Sequence, residues 1–182
     1  GPLPSIPLSD PDPDPDEPAL IAGPAAVDPC DRRNATNAKK LDWIAAHRAD
    51  AARVAETLNV TVADILGLSA LESGWGKGPF VIDGGNNFFS QHYPAPFASG
   101  YRYNKSGTVK VATFESYADS AASFAQQYGA IVKNISAPAA FAAALQNAGK
   151  YGINSDGSKV ASFVGDVEAT IRGISLRMNC EK

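Results

Sequence analysis

Residues 61–74 read TVADILGLSALESG, a helix-forming stretch that spreads Val62, Ala63, Ile65, Leu66, Leu68, Ala70 and Leu71 over nearly every face. A helix that is apolar all round is unstable on a surface, so the rest of the chain must pack around it. Thr61 and Asp64 have the form of a capping box at its start, with Asp in place of the more usual Glu. Gly74 is suited to end it. With 182 residues, 45% of them hydrophobic, the chain has enough material to bury one sizeable core around this helix.

The flanking segments supply the partners. Leu41, Ile44, Ala45, Ala52, Ala55 and Leu58 recur at helical spacing and predict a first helix of about 20 residues, from after Asn34 to near Asn59. Downstream, YRYNKSGTVKVATF alternates Tyr101 with Tyr103 and Val109 with Val111 around the turn-forming Asn104–Gly107, which predicts a β-hairpin. Three further helices are expected. One carries Ala121, Phe124, Ala125, Tyr128, Ile131 and Val132; one runs through APAAFAAALQNAG; the last carries Val160, Phe163, Val164, Val167, Ile171 and Ile174. The expected fold class is α+β, mostly α: a helical domain over residues 34–182, with a small β lobe at about 84–115 inserted between its second and third helices.

Ahead of this domain lie most of the 13 prolines, including the alternating DPDPDPDEP. Proline lacks the amide donor that helix and sheet both need, so residues 1–33 are expected to form an extended segment or linker. No apolar run approaches the roughly 18 residues that span a bilayer, and a soluble chain is expected. Seven carboxylates precede Arg32, leaving 12 acidic against 16 basic residues in the remainder. That mildly cationic body suits an anionic polymer but lacks the strongly basic stripe of a nucleic-acid binder.

Cys30 and Cys180 stand at the two edges of the predicted domain. Termini of a domain often lie close together, so a bond between them is expected, the alternative being two unrelated buried thiols. Such a bond closes a loop of about 150 residues and is worth up to roughly 5 kcal/mol in the chain-entropy model. It places the protein in an oxidising compartment, the periplasm or outside the cell.

Glu72 is the one carboxylate on the last turn of the apolar helix. Both the helix dipole at that end and desolvation disfavour its charge and raise its pKa. A carboxyl kept partly protonated near neutral pH is what a general acid needs. The alternative is a side chain that simply points into solvent past the helix end. Trp75, three places on, is expected to cover the same face, and Gly74, Gly76 and Gly78 allow backbone to approach a ligand closely. The next segment, GGNNFFSQHYPAPF, interleaves aromatics with amide and imidazole groups. That is the composition of a sugar groove, with Phe88, His92 and Tyr93 as candidate contacts, although some of Phe88, Phe89 and Phe97 must be core.

ALESGWGKG followed by NNFFSQHY resembles the Glu-Ser-Gly-Trp-Gly and Asn-Leu-Phe-Gly-Ile-Lys motifs of the glucosaminidase family of bacterial peptidoglycan hydrolases, glycoside hydrolase family 73. VATFESYADSAASFAQQY is similar to that family's hairpin exit into a helix, and LQNAGKYGINSDGSKVASFV to its Ala-Gly-Tyr-Ala-Thr-Asp segment. The resemblance covers roughly residues 60–175. It implies a lysozyme-like helical domain with a β lobe and a cleft between them, cleaving β-1,4 bonds between the amino sugars of peptidoglycan without metal or cofactor. It also implies Glu72 as catalytic acid, Asn87 beside the cleft and Tyr151 facing the acid across it. Two positions depart from the family: Ser90-Gln91-His92 replaces Gly-Ile-Lys, and Lys150 is inserted before Tyr151.

Glycosidases usually pair two carboxyl groups. Between Glu72 and Tyr151 the candidates for the second are Asp83, on a Gly-flanked loop, Glu115 and Asp119, and the family's usual hairpin position carries none. Asp83 orienting a water, Glu115 in that role, or attack by the substrate's own acetamido group, positioned by Tyr151, all remain open. So do a lytic transglycosylase, which needs no second carboxylate, and a binding module without activity, which has no reason to keep an acid on an apolar helix. Two biological roles fit the same residues: a secreted effector against rival bacteria, restrained by an immunity protein that plugs the cleft, and housekeeping wall remodelling.

Overall fold

The computed structural model describes residues 28–180. Helix α1 (Ala35–Leu58) starts where the Asn34 side chain accepts from the Asn37 amide and stops where Asn59 turns left-handed. The predicted capping box opens α2 (Val62–Ser73): Thr61 Oγ1 accepts from the Asp64 amide at 3.0 Å, and Asp64 Oδ2 accepts from the Thr61 amide at 3.1 Å. Strands β1 (Gly100–Tyr103) and β2 (Lys110–Thr113) form an antiparallel pair, with Tyr101 opposite Ala112. Helices α3 (Tyr117–Val132), α4 (Pro138–Asn147) and α5 (Phe163–Met178) complete the described fold.

It is a mostly helical α+β domain with a two-stranded lobe between its second and third helices. The last helix starts at Phe163, so Val160, expected on it, lies in the preceding loop. Every residue of α2 from Ala63 to Ser73 is buried, as its composition requires. Its partner α5 approaches so closely that a Cβ at Gly67 would stand 2.9 Å from the Ile171 Cα. Any side chain there would push the two helices apart.

Cys30 and Cys180 are bonded, with Cα atoms 5.3 Å apart across 150 residues of sequence. Arg177 Nε donates to Asn37 Oδ1 at 2.9 Å, both residues buried, which ties α5 to α1 directly while the disulfide joins the segments that flank them. Among the described residues no single helix is long and apolar enough to cross a membrane. The expected extended linker over 1–33 falls, for residues 1–27, outside the described residues.

Candidate active site

The end of α2 is turned by two consecutive left-handed residues, Gly74 and Trp75, with φ of 57° and 56°. Helix ends leave carbonyls without intrahelical partners, and here the following loops supply them. Ala70 O accepts from the Trp75 amide at 2.8 Å, Leu71 O from Gly74 at 3.3 Å and Ser73 O from Gly78 at 2.9 Å. The Glu72 carbonyl accepts from the Ser90 hydroxyl at 3.1 Å. The backbone of this helix end is therefore satisfied.

The Glu72 side chain is not. It is 4% exposed, and neither carboxyl oxygen has a hydrogen-bond partner among the described residues. Burial pushes its pKa up to about 8, with the Ser90 hydroxyl acting in the opposite direction. The solvent-exposed alternative for Glu72 is excluded. At neutral pH the group is mainly a neutral acid, with a proton and no internal acceptor.

Tyr151 lies close enough for the Glu72 charge to raise its pKa, after the larger effect of burial. It is fully buried among Phe124 and Tyr128, and its hydroxyl donates to the Phe89 carbonyl at 2.6 Å. The resemblance implies that Tyr151 faces the acid, and in this structure its hydroxyl proton goes to main chain. Phe89 and Ser90 are consequently pinned from two sides, by Tyr151 and by the end of α2.

Other expected contacts are also relocated. Asn87 is 1% exposed and works as a clamp, its amide donating to Gln91 O at 2.8 Å and Ala112 O at 2.9 Å while its oxygen accepts from the Gln91 amide. Phe88 is core, packed on Trp43, His47 and Tyr117. Phe97, by contrast, is 56% exposed. Trp75 does not lie over Glu72 by helical spacing, because the helix has ended. Its ring stands 5.3 Å from Trp43 on α1. Asp83 is exposed and held through its carbonyl by Arg102 at 3.1 Å. Glu115 is an exposed residue beside the α3 cap.

His92 is half-buried and bridges to Val111, extending the hairpin. Tyr93 belongs to an exposed aromatic row: its ring lies 5.0 Å from Tyr101, which lies 5.6 Å from Tyr103, with Lys110 Nζ 4.6 Å from the Tyr101 centroid. A pocket of about 720 Å³ opens beside Tyr103, between Pro79, Phe80 and the hairpin turn. In residue order Tyr101 and Tyr103 are simply strand residues. Their alternation, which puts both rings on one face, was the available signal. Ser90 stands where the resembled motif has glycine. Its φ of 50° shows that the position needs a left-handed residue, the reason glycine stands there in the motif it resembles.

Comparison with known proteins adds relatives to this geometry. No family model matches the chain, and no curated protein matches it. Among solved structures, a type VI secretion system effector-immunity complex from Pseudomonas protegens contains a chain 33% identical, with a TM-score of 0.65, over 81% of this chain and 99% of that one. A peptidoglycan hydrolase from Sphingomonas sp. A1 is 25% identical with a TM-score of 0.59, over 76% and 91% of the two chains. The catalytic domain of the autolysin Auto from Listeria monocytogenes, 15% identical over 86% and 99% with a TM-score of 0.53, shares the fold.

Proposed function

The chain belongs to the glucosaminidase family of bacterial peptidoglycan hydrolases, and we propose that it hydrolyses β-1,4 glycosidic bonds of peptidoglycan with Glu72 as the general acid. One observation carries this reading: a carboxyl at the end of an apolar helix, buried, without a hydrogen-bond partner and pushed up to about 8. Such a group holds a proton at neutral pH and releases it to a glycosidic oxygen brought within hydrogen-bond reach. As the C1–O bond breaks, the leaving sugar takes that proton and positive charge grows at C1.

Asp83 and Glu115 are exposed side chains, whereas Glu72 is buried at the helix end, and we favour a mechanism with one carboxyl group. In it the acetamido oxygen of the sugar attacks C1. The Glu72 carboxylate then takes a proton from the water that opens the resulting ring, which restores the acid. Tyr151 serves as a positioning residue that holds Phe89 and Ser90 against the end of α2. The exposed row of Tyr93, Tyr101 and Tyr103 supplies flat faces on which sugar rings stack.

The Pseudomonas protegens relative is a chain of a type VI secretion system effector-immunity complex. By extension this chain is an antibacterial effector domain that acts outside the cytoplasm, where its disulfide persists, and it has an immunity partner of its own. The acidic, Pro-rich residues 1–33 then serve as a tether to a longer parent. Mass spectrometry of purified peptidoglycan digested with the protein tests the chemistry. Reducing-end products are expected, their identity reporting whether the N-acetylglucosaminyl or the N-acetylmuramyl bond is cut. Anhydro ends would instead establish a transglycosylase, and rapid cleavage of glycan stripped of its acetyl groups would remove the acetamido step.

A further inference from the structure

The loop that passes the end of α2 holds one hydroxyl against Glu72. Ser90 is buried, and its Oγ donates to the Glu72 main-chain carbonyl at 3.1 Å. The residues on either side of it are fastened. Tyr151 donates to the Phe89 carbonyl at 2.6 Å, while the Asn87 carboxamide accepts from the Gln91 amide at 2.9 Å and donates to the Gln91 carbonyl at 2.8 Å. Ser90 itself is left-handed, with φ of 50°, a backbone that glycine adopts at lower cost. What serine adds to such a position is the hydroxyl, and the clamps on Phe89 and Gln91 hold it at Glu72. Its influence reaches the carboxyl as well as the carbonyl, because it favours the charged form of Glu72 against the effect of burial.

We infer that the Ser90 hydroxyl is a donor with two positions: it rests on the Glu72 carbonyl while Glu72 holds its proton, and it turns onto the Glu72 carboxylate once that proton has moved to the glycosidic oxygen. The step rests on the general-acid role proposed above and gives that site a positioning residue. Its physical basis is a change in acceptor strength. A peptide carbonyl and a protonated carboxyl are both neutral acceptors, whereas the group left behind as the C1–O bond breaks is charged, and a hydrogen bond to a charged acceptor is about twice as strong. A hydroxyl proton rotates to suit its acceptor, so the exchange needs no movement of the clamped backbone. In the resting arrangement neither carboxyl oxygen makes a hydrogen bond of ordinary geometry among the described residues. A donor that engages only as charge develops stabilises the product of proton transfer more than the acid before it, and this lowers the barrier. Ser90 keeps its own proton throughout. The proton that changes hands leaves Glu72 for the departing sugar, and water returns it.

Ser90→Gly removes the hydroxyl with little risk to the fold, because glycine suits the left-handed backbone, and Ser90→Ala is the companion that keeps the Cβ. Two quantities are measured on the full chain. One is the rate of clearing of a peptidoglycan suspension as a function of pH. The other is the titration of the Glu72 carboxyl itself, followed by NMR in protein with isotopically labelled glutamate carboxyls, the Glu72 signal being the one lost in Glu72→Gln. Loss of the hydroxyl is expected to raise the Glu72 midpoint by at least about half a pH unit. The alkaline limb of the clearing rate should move up with it, and the plateau should fall about tenfold. Asp64 at the far end of α2, Lys40 and His47 on α1, Arg177 on α5 and Tyr151 also titrate or carry charge around α2, while α4 has no charged residue. All of them are common to wild type and variants and cancel in the difference. A midpoint and limb that both stay at their wild-type positions overturn the assignment, and a lowered melting temperature beside them leaves Ser90 a packing residue of the helix end. A midpoint that rises while the limb stays still overturns it too, because the hydroxyl then acts on Glu72 but not on the reaction. Should the wild type cleave no glycan while the midpoint rises in Ser90→Gly, the hydrolase reading fails and the contact between the two side chains stands.

Discussion

The two ends of α2 each bury a carboxylate, and they treat it in opposite ways. Asp64, at the N-terminus, is 0% exposed, yet its Oδ2 accepts the Thr61 amide and it sits where the helix dipole favours negative charge. Burial raises its pKa only to about 6, because the hydrogen bonds with Thr61 pull it back. Glu72, at the C-terminus, is 4% exposed, neither of its oxygens makes a hydrogen bond of ordinary geometry among the described residues, and it is pushed up to about 8. Burial is common to both, so burial does not mark the chemical group. What distinguishes Glu72 is that the fold satisfies the carbonyls around it and leaves its carboxyl without a partner. That arrangement costs stability and keeps a proton available.

Replacing each acid by its amide gives the largest contrast. Glu72→Gln keeps the size and removes the transferable proton, so clearing of a peptidoglycan suspension should fall at least about 100-fold while circular dichroism is unchanged. Asp64→Asn should leave turnover per folded molecule intact. A folded Glu72→Gln protein that clears at the wild-type rate ends the general-acid assignment.

Tyr151→Phe comes next. It leaves the buried Phe89 carbonyl without its donor, which costs about 1–3 kcal/mol, and it loosens the Phe89–Ser90 segment against α2. Turnover should drop about tenfold with little change in substrate affinity, the pattern of lost positioning. If melting temperature falls while turnover per folded molecule holds, Tyr151 is a packing residue only.

The pH dependence of stability sharpens the comparison further. An acid whose folded pKa is raised stabilises the fold below its unfolded pKa and loses that contribution as pH climbs to the folded one. For Glu72 the window runs from about 4.5 to about 8, and for Asp64 from about 3.8 to about 6. Glu72→Gln should therefore gain melting temperature on the wild type as pH rises from 5 to 8, and Asp64→Asn should show most of its change below pH 6. Lys40 works in the opposite direction above about pH 7, where the fold gains stability as pH rises, and it cancels in each difference from wild type. A Glu72→Gln gap that is flat with pH contradicts the raised pKa.

The smallest effects are expected at the capping box and at Asp83. Asp64→Asn keeps the helix-start geometry but weakens its charge-assisted bond, a loss of about 0.5–2 kcal/mol, which in a chain of this size lowers the melting temperature by a few degrees. Asp83→Asn, altering an exposed side chain, should leave both rate and melting temperature at wild-type values. A large loss of rate there would restore Asp83 as the group that activates water.

The helices, the capping box, the hairpin and the raised Glu72 were legible in residue order, because periodicity, caps and turn chemistry act over a few residues and a helix apolar on every face has nowhere to go but the core. The Cys30–Cys180 bond was legible too, since domain edges tend to meet. Side-chain direction after a helix ends was not. Three-residue spacing puts Trp75 over Glu72 only while the helix continues, and the left-handed Gly74 and Trp75 send the indole to Trp43 instead. Asn87, Phe88 and Tyr151 read as ligand contacts because amides and aromatics serve sugars and cores equally well. Their assignment to the interior depended on Ala112, Trp43 and the Phe89 carbonyl, partners brought near only by packing. The placing of the Ser90 hydroxyl on the Glu72 carbonyl, 18 residues back, is of the same kind. A hydrogen bond depends on distance through space, and the end of α2 and the loop that carries Ser90 acquire that distance only when the chain has folded.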